Sequence, residues 1–135
     1  MKSSIFGVYD VRGIYPKTIN EDVIGKIGLT AIKLFLGNKK RGSFVLGHDA
    51  RLSSSSLYRA LIKSIRKASP KSKLFLAGLI TTPEMSFLVN HLKSDGGMMV
   101  TASHNPKQYN GVKFVKKDGV SISGKEIYAV YKKLR

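Results

Sequence analysis

With 135 residues, 42% of them hydrophobic and 9% aromatic, the chain has enough apolar material for one packed domain and too much for a disordered tail. Twenty-four Lys and Arg against eight Asp and Glu leave a net charge of +16, which favours anionic partners such as nucleic acid, anionic lipid or phosphorylated metabolites. The absence of cysteine excludes a disulfide framework and a thiolate zinc site, and no apolar run approaches the ~20 residues of a membrane-spanning helix. From Met1 the chain reaches Asp10 and Arg12 too soon for a signal peptide's apolar region, so the expected setting is cytoplasmic.

In chain order, a short strand is predicted around Gly7–Val11, followed by a turn at Pro16. The segment 19–36 places Val23, Ile24, Ile27, Ala31, Leu34 and Phe35 at helical spacing, and Gly37 closes it. Residues 43–47 read as a buried strand. The serine run 53–56 opens and caps a helix to Ala68 that carries Leu57, Leu61, Ile62 and Ile65 on its apolar face. A strand over 73–77 follows, and then a short helix from Pro83 to Leu92 with Thr82 as its N-cap. Met85, Phe87, Leu88, Met98 and Met99 are expected in the core. Residues 97–101 form another strand, and Val112–Val115 with Val120–Ile122 form a hairpin around Asp118-Gly119. A capping box, Ser123 to Glu126, starts the last helix. Alternating strands and helices predict a layered α/β domain.

Polar loops recur at the ends of the predicted strands. They are Tyr9-Asp10-Val11-Arg12-Gly13, then Gly47-His48-Asp49-Ala50-Arg51-Leu52-Ser53-Ser54, then Gly78-Leu79-Ile80-Thr81-Thr82-Pro83, then Thr101-Ala102-Ser103-His104-Asn105-Pro106 with Tyr109-Asn110-Gly111-Val112-Lys113. Ligands in open α/β sheets gather at such ends, so these loops can share one site. Ser103 brings a hydroxyl beside His104, Asn105 an amide and Lys113 a cation, while the planar fork of Arg12 suits a phosphate. The residue types alone also fit a plain Asn-Pro turn. Asp49 and Arg51 are expected to tie their loop to its neighbours, and His48 and His91 to be ordinary loop or surface histidines.

These motifs, in this order, resemble the first-domain signatures of the α-D-phosphohexomutases. The Ser103 loop resembles the phosphoserine loop of that superfamily, and the Tyr9–Gly13 opening resembles its phosphomannomutase/phosphoglucomutase branch. The resemblance spans Phe6–Lys113. It implies a three-layer α/β/α domain with a mostly parallel mixed sheet, with residues 1–135 forming a single first domain. It further implies that Ser103 is phosphorylated in the resting enzyme and relays its phosphoryl group between hexose 1-phosphate and hexose 6-phosphate through a hexose 1,6-bisphosphate. By match, Ser103, His104, Lys113 and Arg12 are catalytic, and Tyr9, Arg12, Asn105 and Lys113 bind substrate. Arg12 and Lys113 would bring positive charge, and His104 or Lys113 would move the hydroxyl proton. A lysine held near other cations gives up its proton more readily, as that work requires.

Magnesium is the implied cofactor, with the phosphate on Ser103 as its contact in this chain. The Asp-Gly-Asp-x-Asp-Arg loop that holds the metal in complete members lies in a second domain and is absent here, and Asp10, Asp22, Asp49, Asp95 and Asp118 are scattered. The sugar-recognition and distal phosphate loops of the third and fourth domains are absent too. The chain alone is therefore expected to be inactive, with the remaining domains supplied in the same chain or in trans. The competing reading is a basic module for nucleic acid or another polyanion. It gains from the net charge but lacks aromatic interleaving and a continuous basic stripe.

Overall fold

The computed structural model describes all residues from Met1 to Arg135. A 3₁₀ turn, Ser3–Ile5, precedes β1 (Val11–Ile14), α1 (Glu21–Leu36), β2 (Ser43–His48), α2 (Ser54–Ala68), β3 (Lys73–Leu79) and α3 (Thr82–His91); β4 (Gly96–Val100), β5 (Tyr109–Lys116), β6 (Ser121–Ile122) and α4 (Gly124–Leu134) complete the chain. The strands form one sheet in the order β1-β5-β4-β2-β3, with β6 beside β1 on the same edge of β5. No helix is long and apolar enough to cross a membrane.

The three layers are present. Helices α1, α2 and α4 cover one face over a core of 20 buried residues, among them Ile24, Ile27, Phe44, Leu61, Met98 and Phe114. Helix α3 covers the other face over Val45, Met85, Val89, Met99 and Val115. Helix α1 starts where Asn20 accepts the Val23 N–H at 3.0 Å. It crosses α2 at close range because Gly28 has no side chain, and a Cβ there would stand 2.6 Å from Leu61 Cδ1.

The sheet is mixed, as expected, but its parallel part is confined to β3-β2-β4. The ladders β4-β5, β5-β1 and β5-β6 are antiparallel. The eight-residue stretch 101–108 is too short for a helical crossover, so β5 returns beside β4 in the opposite direction.

Several boundaries differ from the sequence reading. The first strand begins at Val11, because Gly7–Asp10 is a tight turn in which Gly7 N–H bonds the Asp10 carbonyl at 2.8 Å. The N-cap of α3 is Thr81, one residue before Thr82, in a full capping box with Glu84. Ser53 stands at the N-cap of α2 without capping it; its hydroxyl accepts from Asn110 Nδ2 at 2.7 Å instead. Phe87 points outward and is 61% exposed, whereas Met85, Met98 and Met99 are buried. The hairpin and the Ser123–Glu126 capping box form as expected.

Candidate active site

The four loops meet at one end of the sheet. Asp49 N–H bonds Val100 O, Ile80 N–H bonds His48 O and Thr101 N–H bonds Gly111 O, each at 3.0–3.1 Å. Strand β1 brings its residues to this end by pairing Arg12 with Gly111. Side chains alternate faces along a strand, so Arg12 shares a face with Gly111 and with Lys113 two residues on. Lys113 pairs with Met99, whose side chain packs under α3, and Thr101 follows on that face. Arg12, Lys113 and Thr101 therefore rise on the α3 side of the sheet.

Beside the two cations lies Asp10, 3% exposed, with its Oδ1 3.5 Å from Arg12 Nε. Burial raises its carboxyl above the ordinary 3.8, and the charges of Arg12 and then Lys113 oppose that rise. Sequence reasoning passed over Asp10. The sequence signal was only a carboxylate two residues before an arginine; its place near Lys113 comes from the pairing of β1 with β5.

The Ser103 loop is held from beneath. Arg51 donates from Nη1 to the carbonyls of Pro106 and Tyr109, and from Nη2 to those of Ser103 and Asn105, at 2.6–3.2 Å. Asp49 orients it, with Oδ2 3.3 Å from Arg51 Nε. The same carboxylate accepts Thr101 Oγ1 at 2.7 Å and Ser54 Oγ at 2.5 Å. Thr101 Oγ1 in turn accepts the Ser103 N–H at 3.0 Å. Buried Asn110 closes the network by donating to Ser53 and Ser54 and accepting Gly111 N–H at 2.8 Å. The expectation for Asp49 and Arg51 holds, and Thr101, Asn110 and Ser54 join them.

Ser103 itself has φ +54°, a left-handed conformation costing an L-residue roughly 1–2 kcal/mol. Its N–H and C=O are both used, while its hydroxyl makes no hydrogen bond within the chain. Of the other expected residues, Tyr9 is 72% exposed on the Gly7–Asp10 turn and His104 is exposed beside Ser103. The Asn105 amide donates to Ala102 O at 2.9 Å, a bond that helps to shape the loop, and the residue is partly exposed. A cleft of about 370 Å³ is lined by residues of the second and third loops with Glu84, Met99 and Thr101. None of the six expected site residues lines it.

This arrangement, loop by loop, carries a family. The family model described as phosphoglucomutase/phosphomannomutase, alpha/beta/alpha domain I, matches residues 3–135. The chain belongs to the phosphohexomutase superfamily, as its first domain. Phosphohexose mutases of Xanthomonas campestris pv. campestris are 43% identical over 118 residues, covering 87% of this chain and 25% of theirs. A phosphomannomutase of Klebsiella pneumoniae is 43% identical over 119 residues, covering 88% of this chain and 72% of that one. The crystal structure of a phosphoglucomutase/phosphomannomutase family protein from Burkholderia thailandensis superposes with a TM-score of 0.83 at 31% identity, over 99% of this chain and 30% of that one. The chain thus spans about a quarter of the length of the Xanthomonas relative. The superfamily has more chain to contribute than this domain contains.

Proposed function

We propose that this phosphohexomutase domain carries the phosphoryl group of its enzyme on Ser103. The observation that supports this most is the loop itself. Ser103 is locked in a strained backbone by Arg51 and Thr101, and its hydroxyl alone is left without a partner. Strain of this kind persists only where the surroundings over-determine it.

The reaction needs little from the protein beyond positioning and charge. The phosphoryl group leaves Ser103 Oγ for a free hydroxyl of a hexose monophosphate. The P–Oγ bond breaks, a P–O bond to the sugar forms, and the sugar's hydroxyl proton ends on Oγ. The resulting hexose 1,6-bisphosphate turns and returns its other phosphoryl group to Ser103. Arg12 and Lys113 supply positive charge on the α3 face, and His104, exposed beside the serine in sequence, or Lys113 carries the proton. Tyr9, Arg12, Asn105 and Lys113 would bind the sugar phosphate, Tyr9 and Arg12 from exposed positions and Asn105 from within the Ser103 loop.

The chain's residues do not make a magnesium site by themselves. Mg²⁺ needs an octahedron of oxygens. No three His, Asp or Glu side chains converge, and the nearest carboxylates are occupied, Asp49 with Thr101, Ser54 and Arg51, and Asp10 with Arg12. Apart from the phosphate on Ser103, ligands for the metal have to come from outside residues 1–135, as do the groups that cover the open rim.

The test is a chimera in which residues 1–135 replace the matching first quarter of the Xanthomonas relative. The account expects the chimera to convert glucose 1-phosphate to glucose 6-phosphate with magnesium and a bisphosphate activator, and the 135-residue chain alone to show no turnover. Ser103→Ala should abolish the chimera's activity. Full activity in that variant would remove Ser103 from the mechanism.

A further inference from the structure

Strand β3 closes the sheet on the side away from β1, and nothing in the chain pairs with its outer edge. An open edge offers a row of backbone N–H and C=O groups to any extended segment. Here the edge is regular from Lys73 to Leu76, up to a bulge at Ala77 where the β2 ladder shifts register. The stretch Leu74-Phe75-Leu76-Ala77 is apolar throughout, and Leu76 is 47% exposed.

The two faces flanking this edge differ in chemistry. On the α3 face, Phe75, Ala77, Ile80, Leu88 and Leu92 line a groove of about 340 Å³ whose walls are all hydrophobic. On the α2 face, Arg59, Lys63 and Arg66 stand at helical spacing along a second groove of about 400 Å³. Leu76 borders both, and neither lining contains an acidic residue. A strand added beside β3 would send successive side chains to opposite faces. One set would enter the apolar groove and the alternate set would meet the basic row.

We propose that the β3 edge is a docking site for an extended segment of a partner protein in which acidic and apolar residues alternate. This does not depend on the role of Ser103. A second copy of the chain fits poorly, because a two-fold pairing of β3 with β3 would bring the two basic rows together with no acid between them. A nucleic acid would use the basic row but leave the apolar groove empty.

The experiment is a titration of the ¹⁵N-labelled chain with an eight-residue peptide of alternating Glu and Val, blocked at both ends. The proposal expects saturable shifts at the amides of Lys73–Leu79 and along Arg59–Arg66. A block peptide of the same composition, four Glu then four Val, should bind roughly tenfold more weakly, having lost the match to two faces. Arg59→Glu with Lys63→Glu, both exposed, should weaken the alternating peptide by a similar factor. Equal binding of the block peptide or of poly-Glu, shifts away from β3, or a concentration-dependent dimer formed through β3 would each overturn the proposal.

Discussion

At the scale of single residues, the site depends on how a few polar groups are committed. Arg51 holds four carbonyls of one loop, a role no shorter or singly branched cation can fill. Arg51→Lys should cost about 2–4 kcal/mol in chemical denaturation, most of it from carbonyls left unpaired in the loop. Ser103 is the converse case. Ser103→Gly removes the left-handed strain at φ +54°, so its stability should equal or exceed that of the parent by up to about 1 kcal/mol, while the hydroxyl is lost. Asp10 gives a pH signature. Burial raises its folded pKa above 3.8, so ionising it works against folding; that penalty is absent below about 3.8 and complete above the folded value. Asp10→Asn should therefore be more stable than the parent at neutral pH, and the gain should vanish as pH falls toward 4 in paired denaturation curves.

At the scale of elements, α4 is clamped to the turn that carries Tyr9 and leads into Arg12. A Cβ on Gly124 would stand 2.3 Å from the Asp10 carbonyl and 2.6 Å from Gly7 N. Gly124→Ala must push the helix off that turn, and a loss of roughly 2 kcal/mol or more in thermal or denaturant unfolding is expected. Hydrogen exchange should quicken first in the Gly7–Asp10 turn if the clamp acts as described. Asp95 makes a second tie at the opposite end of the sheet, accepting Ser43 N–H at 2.8 Å and pairing with Lys39. Burial pushes its carboxyl up, but the bonds from Lys39 and Ser43 outweigh this and hold it below 3.8. Its contribution is complete above 3.8 and is lost as pH falls through the lower folded value, so Asp95→Asn should destabilise at neutral pH and match the parent in acid.

Elements were also the scale at which the sequence was most legible. Apolar periodicity placed α1, α2 and the buried strands because burial of one face decides them, and the Ser123–Glu126 box placed α4 by its own hydrogen bonds. The Gly7–Asp10 turn was read as strand because its apolar and aromatic residues fit one; the Gly7–Asp10 bond closes it, and Gly124, more than a hundred residues away, packs against it. Ser53 looked like a cap until Asn110 claimed its hydroxyl. The Ser103 loop was visible as a motif, and Asp49 and Arg51 as residues that tie their own loop to its neighbours. The four-carbonyl clamp and the place of Asp10 between two cations depend on register across β1, β5 and β4, which local pattern does not carry.

At the scale of the whole molecule, the domain presents an open rim at one end of the sheet, where His104 is exposed beside Ser103 in sequence, while Arg12 and Tyr9 are exposed along and before β1. Its +16 net charge is spread over helices and turns; Arg12 and Lys113 share the α3 face, where both act on Asp10. Phosphoryl transfer on this account is shared between this domain, which carries the group, and chain outside it, which brings metal ligands and closes over the sugar. The measurement that tests this most directly is the position of the phosphate. The chimera with the Xanthomonas relative would be incubated with glucose 1,6-bisphosphate and magnesium, digested, and its phosphopeptides sequenced by mass spectrometry. The account predicts one stoichiometric phosphate on Ser103, discharged when glucose 1-phosphate or glucose 6-phosphate is added. A phosphate on any other residue, or one on Ser103 that substrate does not remove while turnover continues, would contradict it.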